Sequence, residues 1–135
     1  MLNRIPDHIV TVVLDSVGEK SGSRFYGSFR VKAVLSHGDQ LLAARTASEL
    51  LKGLERDINN ELVMRGETIA QLQPRVVDAP DWWWASHGGR NLVDAEPLYA
   101  LLGLCSKAAE DWDKQLELAA NAGEPSANVP NNPKP

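Results

Sequence analysis

Three histidines, one cysteine and several closely spaced carboxylates are the side chains of this chain that could do chemistry. His8, His37 and His87 could ligate a metal or relay a proton. A helical metal site needs two ligands on one face, at i and i+4, and no pair of these histidines has that spacing. They read as surface or locally bonded histidines, and no metal is expected. Cys105 could act as a nucleophile, given a depressed pKa and a neighbouring base. It falls instead on the apolar stripe of a predicted helix, where a free cysteine packs as a small hydrophobe. Asp78 and Asp81 bracket Pro80, and Asp94 and Glu96 bracket Ala95, so a paired-acid hydrolase site is one reading. Capping and solvated loops account for these carboxylates more simply, because Asp94 stands where a helix needs an N-cap. Gly88-Gly89 is too short to cradle a phosphate, and neither Gly-x-x-x-x-Gly-Lys nor Gly-x-Gly-x-x-Gly occurs. No cofactor is called for, and the chain reads as a non-enzyme.

The run Trp82-Trp83-Trp84 is the least ordinary feature. Consecutive helical residues point about 100° apart, so three indoles cannot all enter one core. One or two should be buried and at least one partly exposed. An exposed indole suits the centre of a protein interface. The competing reading is structural: the rings lock an irregular segment onto the rest of the fold, with Trp112 completing an aromatic cluster. Both readings hold if they apply to different rings.

The elements that must position these residues are legible in part. Residues 8–14 (HIVTVVL) are β-branched and short, as a strand should be. Residues 24–34 alternate strictly. Phe25, Gly27, Phe29, Val31 and Ala33 share one face, while Tyr26, Ser28, Arg30, Lys32 and Val34 share the other. Residues 15–23 between them are polar and rich in Gly and Ser, which predicts a hairpin with a long mobile tip. That tip and the strand edges are a second candidate contact surface. Ser36 can cap a helix with Asp39 in its first turn and Gly53 as its stop. A second helix is predicted from about Glu55 to Leu72, with Leu54, Ile58, Leu62, Ile69 and Leu72 on one face. Gly66 weakens its middle by up to about 1 kcal/mol, and Pro74 ends it. Residues 75–80 are extended and could add a short strand. Asp94 should cap a third helix that runs to about Ala120, with Leu98, Leu101, Leu102, Cys105, Ala109, Trp112 and Leu116 as its stripe. The fold class is therefore α+β: an N-terminal antiparallel β-hairpin followed by three helices, one domain over residues 1–120. Residues 121–135, rich in Pro and Asn, read as a disordered tail.

Composition narrows the partners. At 135 residues and 43% hydrophobic content, the chain can bury one core. The net charge of −4 and the lack of a basic run argue against nucleic acid. The lone cysteine points to a reducing compartment. No apolar leader or membrane-length run is visible.

One arrangement resembles a known group. Tyr26-Gly27-Ser28-Phe29-Arg30-Val31-Lys32 lies in the hairpin, and a leucine- and arginine-bearing helix follows. Then come Ala79-Pro80-Asp81-Trp82-Trp83, Gly89-Arg90-Asn91-Leu92-Val93-Asp94 and, in the last helix, Ala109-Glu110-Asp111-Trp112. Together these resemble small accessory proteins of tailed bacteriophages, notably tail assembly chaperones and neighbouring small virion proteins. Trp84 and the proline-rich tail depart from that pattern. The resemblance implies a non-enzymatic protein-binding factor in the host cytoplasm, acting on phage structural proteins such as the tape measure or tail tube. It also admits a structural component of the virion, at the tail, neck or capsid surface. A small hydrolase is the third reading, and homo-oligomerisation is compatible with all three. The expected protein-binding residues are Trp82, Trp83, Trp84 and Tyr26.

Overall fold

The computed structural model describes residues 8–53 and 60–123. The N-terminus, the expected helix start at Glu55 with Leu54 and Ile58, and the tail beyond Gly123 lie outside the described residues.

The hairpin forms as the alternation predicts, and its first strand is longer on the loop side. Strand β1 (Ile9–Val17) pairs antiparallel with β2 (Arg24–Lys32) in an unbroken register from Ile9 opposite Lys32 to Val17 opposite Arg24. Asp15, Ser16 and Val17, expected in the loop, are strand residues. Their partners Tyr26, Phe25 and Arg24 extend the ladder, and Arg24 grips the Asp15 carboxylate with two hydrogen bonds of 2.9 and 2.8 Å. Strand β3 (Val76–Asp78) joins the other edge of β2, which gives the order β1-β2-β3 and leaves β1 outermost.

The sheet has one dry face. Leu14, Phe25, Phe29 and Val31 turn inward, with Val10 and Val12 beside them. Four helices follow among the described residues. Helix α1 (His37–Leu50) starts on a capping box: Ser36 Oγ accepts from Asp39 N–H at 3.1 Å, and the Asp39 carboxylate accepts from Ser36 N–H at 3.1 Å. Lys32 at the end of β2 reaches the same carboxylate at 3.0 Å. Helix α2 (Asn60–Arg75) carries Pro74 inside its last turn and ends two residues beyond Gln73, where the proline rule would stop it. The Arg75 side chain helps to close that turn by donating to the Gln71 carbonyl at 2.9 Å. Gly66 has a packing reason: a Cβ there would sit 2.8 Å from Leu51 Cδ2, so glycine lets the end of α1 settle on α2. Helix α3 (Asp81–Ala85) is a single turn carrying the three tryptophans, and α4 (Glu96–Gly123) is the long last helix. Residues 121–123, assigned to the tail by composition, are its final turn.

Leu72 of α2, Trp83 of α3 and Leu98, Leu101 and Cys105 of α4 meet the inner face of the sheet in one core. The opposite sheet face, with Thr11, Val13, Asp15 and Val17 on β1 and Arg24, Tyr26, Ser28 and Arg30 on β2, is exposed. No helix among the described residues is long and apolar enough to cross a membrane.

Candidate functional site

The tryptophan turn is held from both sides. Pro80, just before it, lies over Gly27 of β2, where a Cβ would come within 2.3 Å of the proline Cγ. Gly27 has φ +153, so its lack of a side chain serves both backbone and packing. The indole N–H of Trp82 donates to the Tyr26 carbonyl at 3.1 Å. Its ring meets Phe25 and Phe29 edge-on, at centroid distances of 5.2 and 5.6 Å. Trp83 is only 2% exposed and stands edge-on to Phe29 at 5.7 Å and to Trp82 at 6.2 Å. These spacings are those of stabilising aromatic pairs. Trp84 is 51% exposed. The 100° step between residues thus sorts the three rings: Trp83 in the core, Trp82 at its margin, Trp84 outside.

Trp112 takes no part in that cluster. Its ring lies 3.5 Å from the buried His8 ring, tilted by 31°, beside the start of β1. Tyr26 is 54% exposed on the open sheet face, with the Arg24 guanidinium 4.6 Å above its ring. Of the four expected contact residues, the structure links Tyr26 to Trp82 through the backbone, buries Trp83 and leaves Trp84 and Tyr26 accessible.

The segment after α3 is rigidly built. His87, Gly88 and Gly89 adopt φ of 57, 67 and 89° in succession. The Ser86 hydroxyl donates to the Trp83 carbonyl at 2.8 Å and accepts from Gly89 N–H at 3.1 Å. Gln73 of α2 donates to the Gly88 carbonyl at 3.1 Å, and Arg90 reaches back to Gln73 Oε1 at 3.0 Å. Gly89 has no room for a side chain, since its Cβ would lie 2.5 Å from Leu98 Cδ2 and 3.1 Å from the Trp83 ring. The Gly-Gly step is a packing device that lets α3 and α4 approach.

The hairpin tip is anchored. Asp94, 2% exposed, directs its carboxylate to the tip rather than to the first turn of α4. It accepts from Lys20 N–H at 2.8 Å, from Ser21 N–H at 3.2 Å and from the Ser21 hydroxyl. The Ser21 hydroxyl lowers the Asp94 pKa, the two backbone donors lower it further, and burial opposes them. Glu96 accepts from Glu19 N–H at 3.4 Å. Gly18 is glycine because any Cβ there would occupy the space of the Asp94 carboxyl group. The expected mobile tip and the expected N-cap are corrected together, because the cap residue holds the tip. A carboxylate 73 residues away in sequence has no local signature.

The remaining chemical candidates are dispersed. His37 opens α1 on the surface, and His87 Nδ1 lies 2.9 Å from the Asn91 amide. Asp78 accepts from the backbone of Ala79 at 2.9 Å, and Asp81 is exposed at the start of α3. Cys105 is 2% exposed, and burial pushes its thiol up to about 11, with the Arg75 cation acting weakly in the other direction. Among the described residues, no three His, Cys, Asp or Glu side chains gather where they could hold a metal ion. The hollow beside α2 and the groove between β1 and α4 are walled by residues other than Trp82, Trp83 and Trp84. This chain matches no family model, no curated protein and no solved structure.

Proposed function

We propose that this protein acts by binding other proteins, as a chaperone-like factor in the assembly of a bacteriophage tail, with Trp84 as the anchor of the contact. The observation that carries the binding role is the division of the tryptophan turn. Trp82 and Trp83 are committed to the aromatic core, and they hold Trp84 half exposed on a short, well-braced helix. A rigid, half-exposed indole loses little conformational freedom on contact and offers a large apolar area, which is what interface anchors share. The phage context rests on the resemblance carried by the Pro80–Trp83 block and the Asn91–Asp94 step. Its natural partners are aggregation-prone tail proteins such as the tape measure or the tube subunit.

The test is capture from phage-infected host cells with the full chain and with Trp84→Ala, read by mass spectrometry. A tail component should be retained by the parent chain. The alanine variant should bind it more weakly by about 2 kcal/mol or more. Retention of the same partner by both chains at equal strength would remove Trp84 from the interface.

A second reading, a structural part of the virion, draws support from the outermost position of β1, since a free strand edge can add to a neighbouring subunit. Mass spectrometry of purified particles separates the two. A stoichiometric presence favours the structural role, and absence excludes it.

A further inference from the structure

Arg75, the last residue of α2, is a cation short of a partner. Among the described residues, Arg24 and Arg65 each grip a carboxylate, Asp15 and Glu61, at 2.8 and 3.0 Å. Arg30, Arg45 and Arg90 are exposed to water. Arg75 is half-buried and pairs with no carboxylate among the described residues. Both of its hydrogen bonds use Nη1, which donates to the Gln71 carbonyl at 2.9 Å and to Gln71 Oε1 at 2.7 Å. Nε and Nη2 make none among the described residues. Burial is the largest influence on the Arg75 pKa and lowers it, while Cys105 and Asp39 act in the other direction. The Asp39 carboxylate is already committed to Lys32 Nζ at 3.0 Å and to Ser36 N–H at 3.1 Å. A cation drawn out of water is normally paired, so the free edge of this guanidinium calls for an anion.

The surroundings say which anion fits. Arg75 lines an open hollow of about 540 Å³ where the connection from β2 to α1 meets the end of α2. Val34 and Leu35 wall one side, Gln40 and Ala44 of α1 another, and Gln71 and Arg75 of α2 the third. No carboxylate lines the hollow, so it is a positive spot on a chain of net charge −4. The two Nη1 bonds pin the guanidinium to its own helix. Nε and Nη2 then present the side-on fork that matches the two oxygens of a carboxylate. A free phosphate could take the same fork, but it would gain nothing from Val34 and Leu35. An acidic side chain carried on a peptide beside an aliphatic residue uses both the cation and the apolar wall.

We propose that this hollow docks an acidic side chain, Asp or Glu, presented next to an aliphatic residue on another protein. The carboxylate takes the Nε and Nη2 donors of Arg75, and the aliphatic neighbour lies on Val34 and Leu35. The site shares no residue with the tryptophan turn and stands independently of the Trp84 contact.

Titration of the isotope-labelled full chain with the capped tripeptide Leu-Glu-Leu, followed at the Arg75 Nε–H resonance, tests it. The signal should shift and saturate with a dissociation constant of about 1 mM. The capped tripeptide Leu-Gln-Leu should bind at least about tenfold more weakly, because it lacks the charge. Inorganic phosphate should also bind about tenfold more weakly, because it lacks the aliphatic contact. Ala44→Glu places a carboxylate of the chain's own beside Arg75 and should weaken the acidic peptide about tenfold. Ala44 is exposed on α1, so the change does not threaten the fold, which circular dichroism checks. No shift at about 10 mM acidic peptide overturns the proposal. So does equal binding of the glutamine peptide, or undiminished binding by the Ala44→Glu chain. Phosphate as strong as the acidic peptide overturns it too, since the apolar wall would then play no part.

Discussion

The carboxylate of Asp94 and the hydroxyl of Ser21 join the start of α4 to the tip of the hairpin across 73 residues of sequence. With the backbone N–H groups of Lys20 and Ser21 on the same carboxylate, this contact turns a polar Gly/Ser loop into an ordered part of the domain. Asp94→Ala should free the tip while the core stays intact. The amides of Lys20 and Ser21 should lose hydrogen-exchange protection, and the thermal midpoint should fall, whereas the amides of α2 should stay protected. Equal loss of protection throughout would mean that Asp94 supports the whole fold.

The same contact should respond to acid. The Ser21 hydroxyl, reinforced by the Lys20 and Ser21 N–H groups, holds the Asp94 carboxyl below the usual carboxylate range. A depressed folded pKa contributes stability that is present above the unfolded value and is lost as pH falls through the folded one. The tip should therefore stay closed at neutral pH and open only below about pH 4. Asp94→Asn should lessen this acid dependence, as measured by unfolding midpoints between neutral and acidic pH. An unchanged acid limb in the variant would assign the effect to other carboxylates.

The tryptophans should separate by stability. Trp83→Ala removes a buried ring from the contact with Phe29 and Trp82 and should cost about 3–5 kcal/mol. Trp84→Ala should stay within about 0.5 kcal/mol of the parent chain. Urea unfolding monitored by circular dichroism reads both. A large loss at Trp84 would mean that its ring supports the fold.

Gly89 should tolerate no side chain. Gly89→Ala forces a left-handed residue to carry a Cβ and drives that atom into Leu98 and the Trp83 ring. The combined strain should cost about 2 kcal/mol or more. Gly53→Ala serves as the control. Gly53 shares the positive φ, at 84°, and has nothing within 4 Å of its Cβ position, so it should lose only the backbone part, about 1 kcal/mol.

Cys105 should be inert until the protein unfolds. Burial raises its thiol from an ordinary 9.0 to about 11. The folded chain should resist alkylation at neutral pH and react at the ordinary rate in denaturant. An unfolded thiol ionises first as pH climbs, so this group's contribution to stability is intact below about pH 9 and declines from there to about pH 11. Rapid labelling of the native chain would show that α4 opens readily.

Local periodicity carried much of the fold. The alternation Phe25, Phe29, Val31 against Tyr26, Ser28, Arg30 identified β2 and its faces, because a pleated strand imposes a period of two. Ser36 and Asp39 announced α1, because a helix start leaves backbone donors for nearby side chains. The 100° step implied that the three tryptophans would differ in burial. It did not say which would be exposed, since that depends on where Pro80 rests on Gly27 and how the Trp82 N–H finds the Tyr26 carbonyl. The strand character of Asp15 to Val17 was hidden because their ladder partners and the Arg24 ion pair outweigh a polar composition.

By itself the amino-acid order determined the hairpin, the order of the elements and the burial of Cys105 on an apolar stripe, since each follows from contacts between near neighbours or from a repeating pattern. Tertiary structure alone decided that Asp94 closes on Ser21, that Trp112 stacks on His8 instead of joining Trp82 and Trp83, and that β1 stays at the sheet edge beside a groove. Each of these joins residues remote in sequence through a directional hydrogen bond, a ring contact or a packing choice. No local pattern records such a partner until the chain has folded.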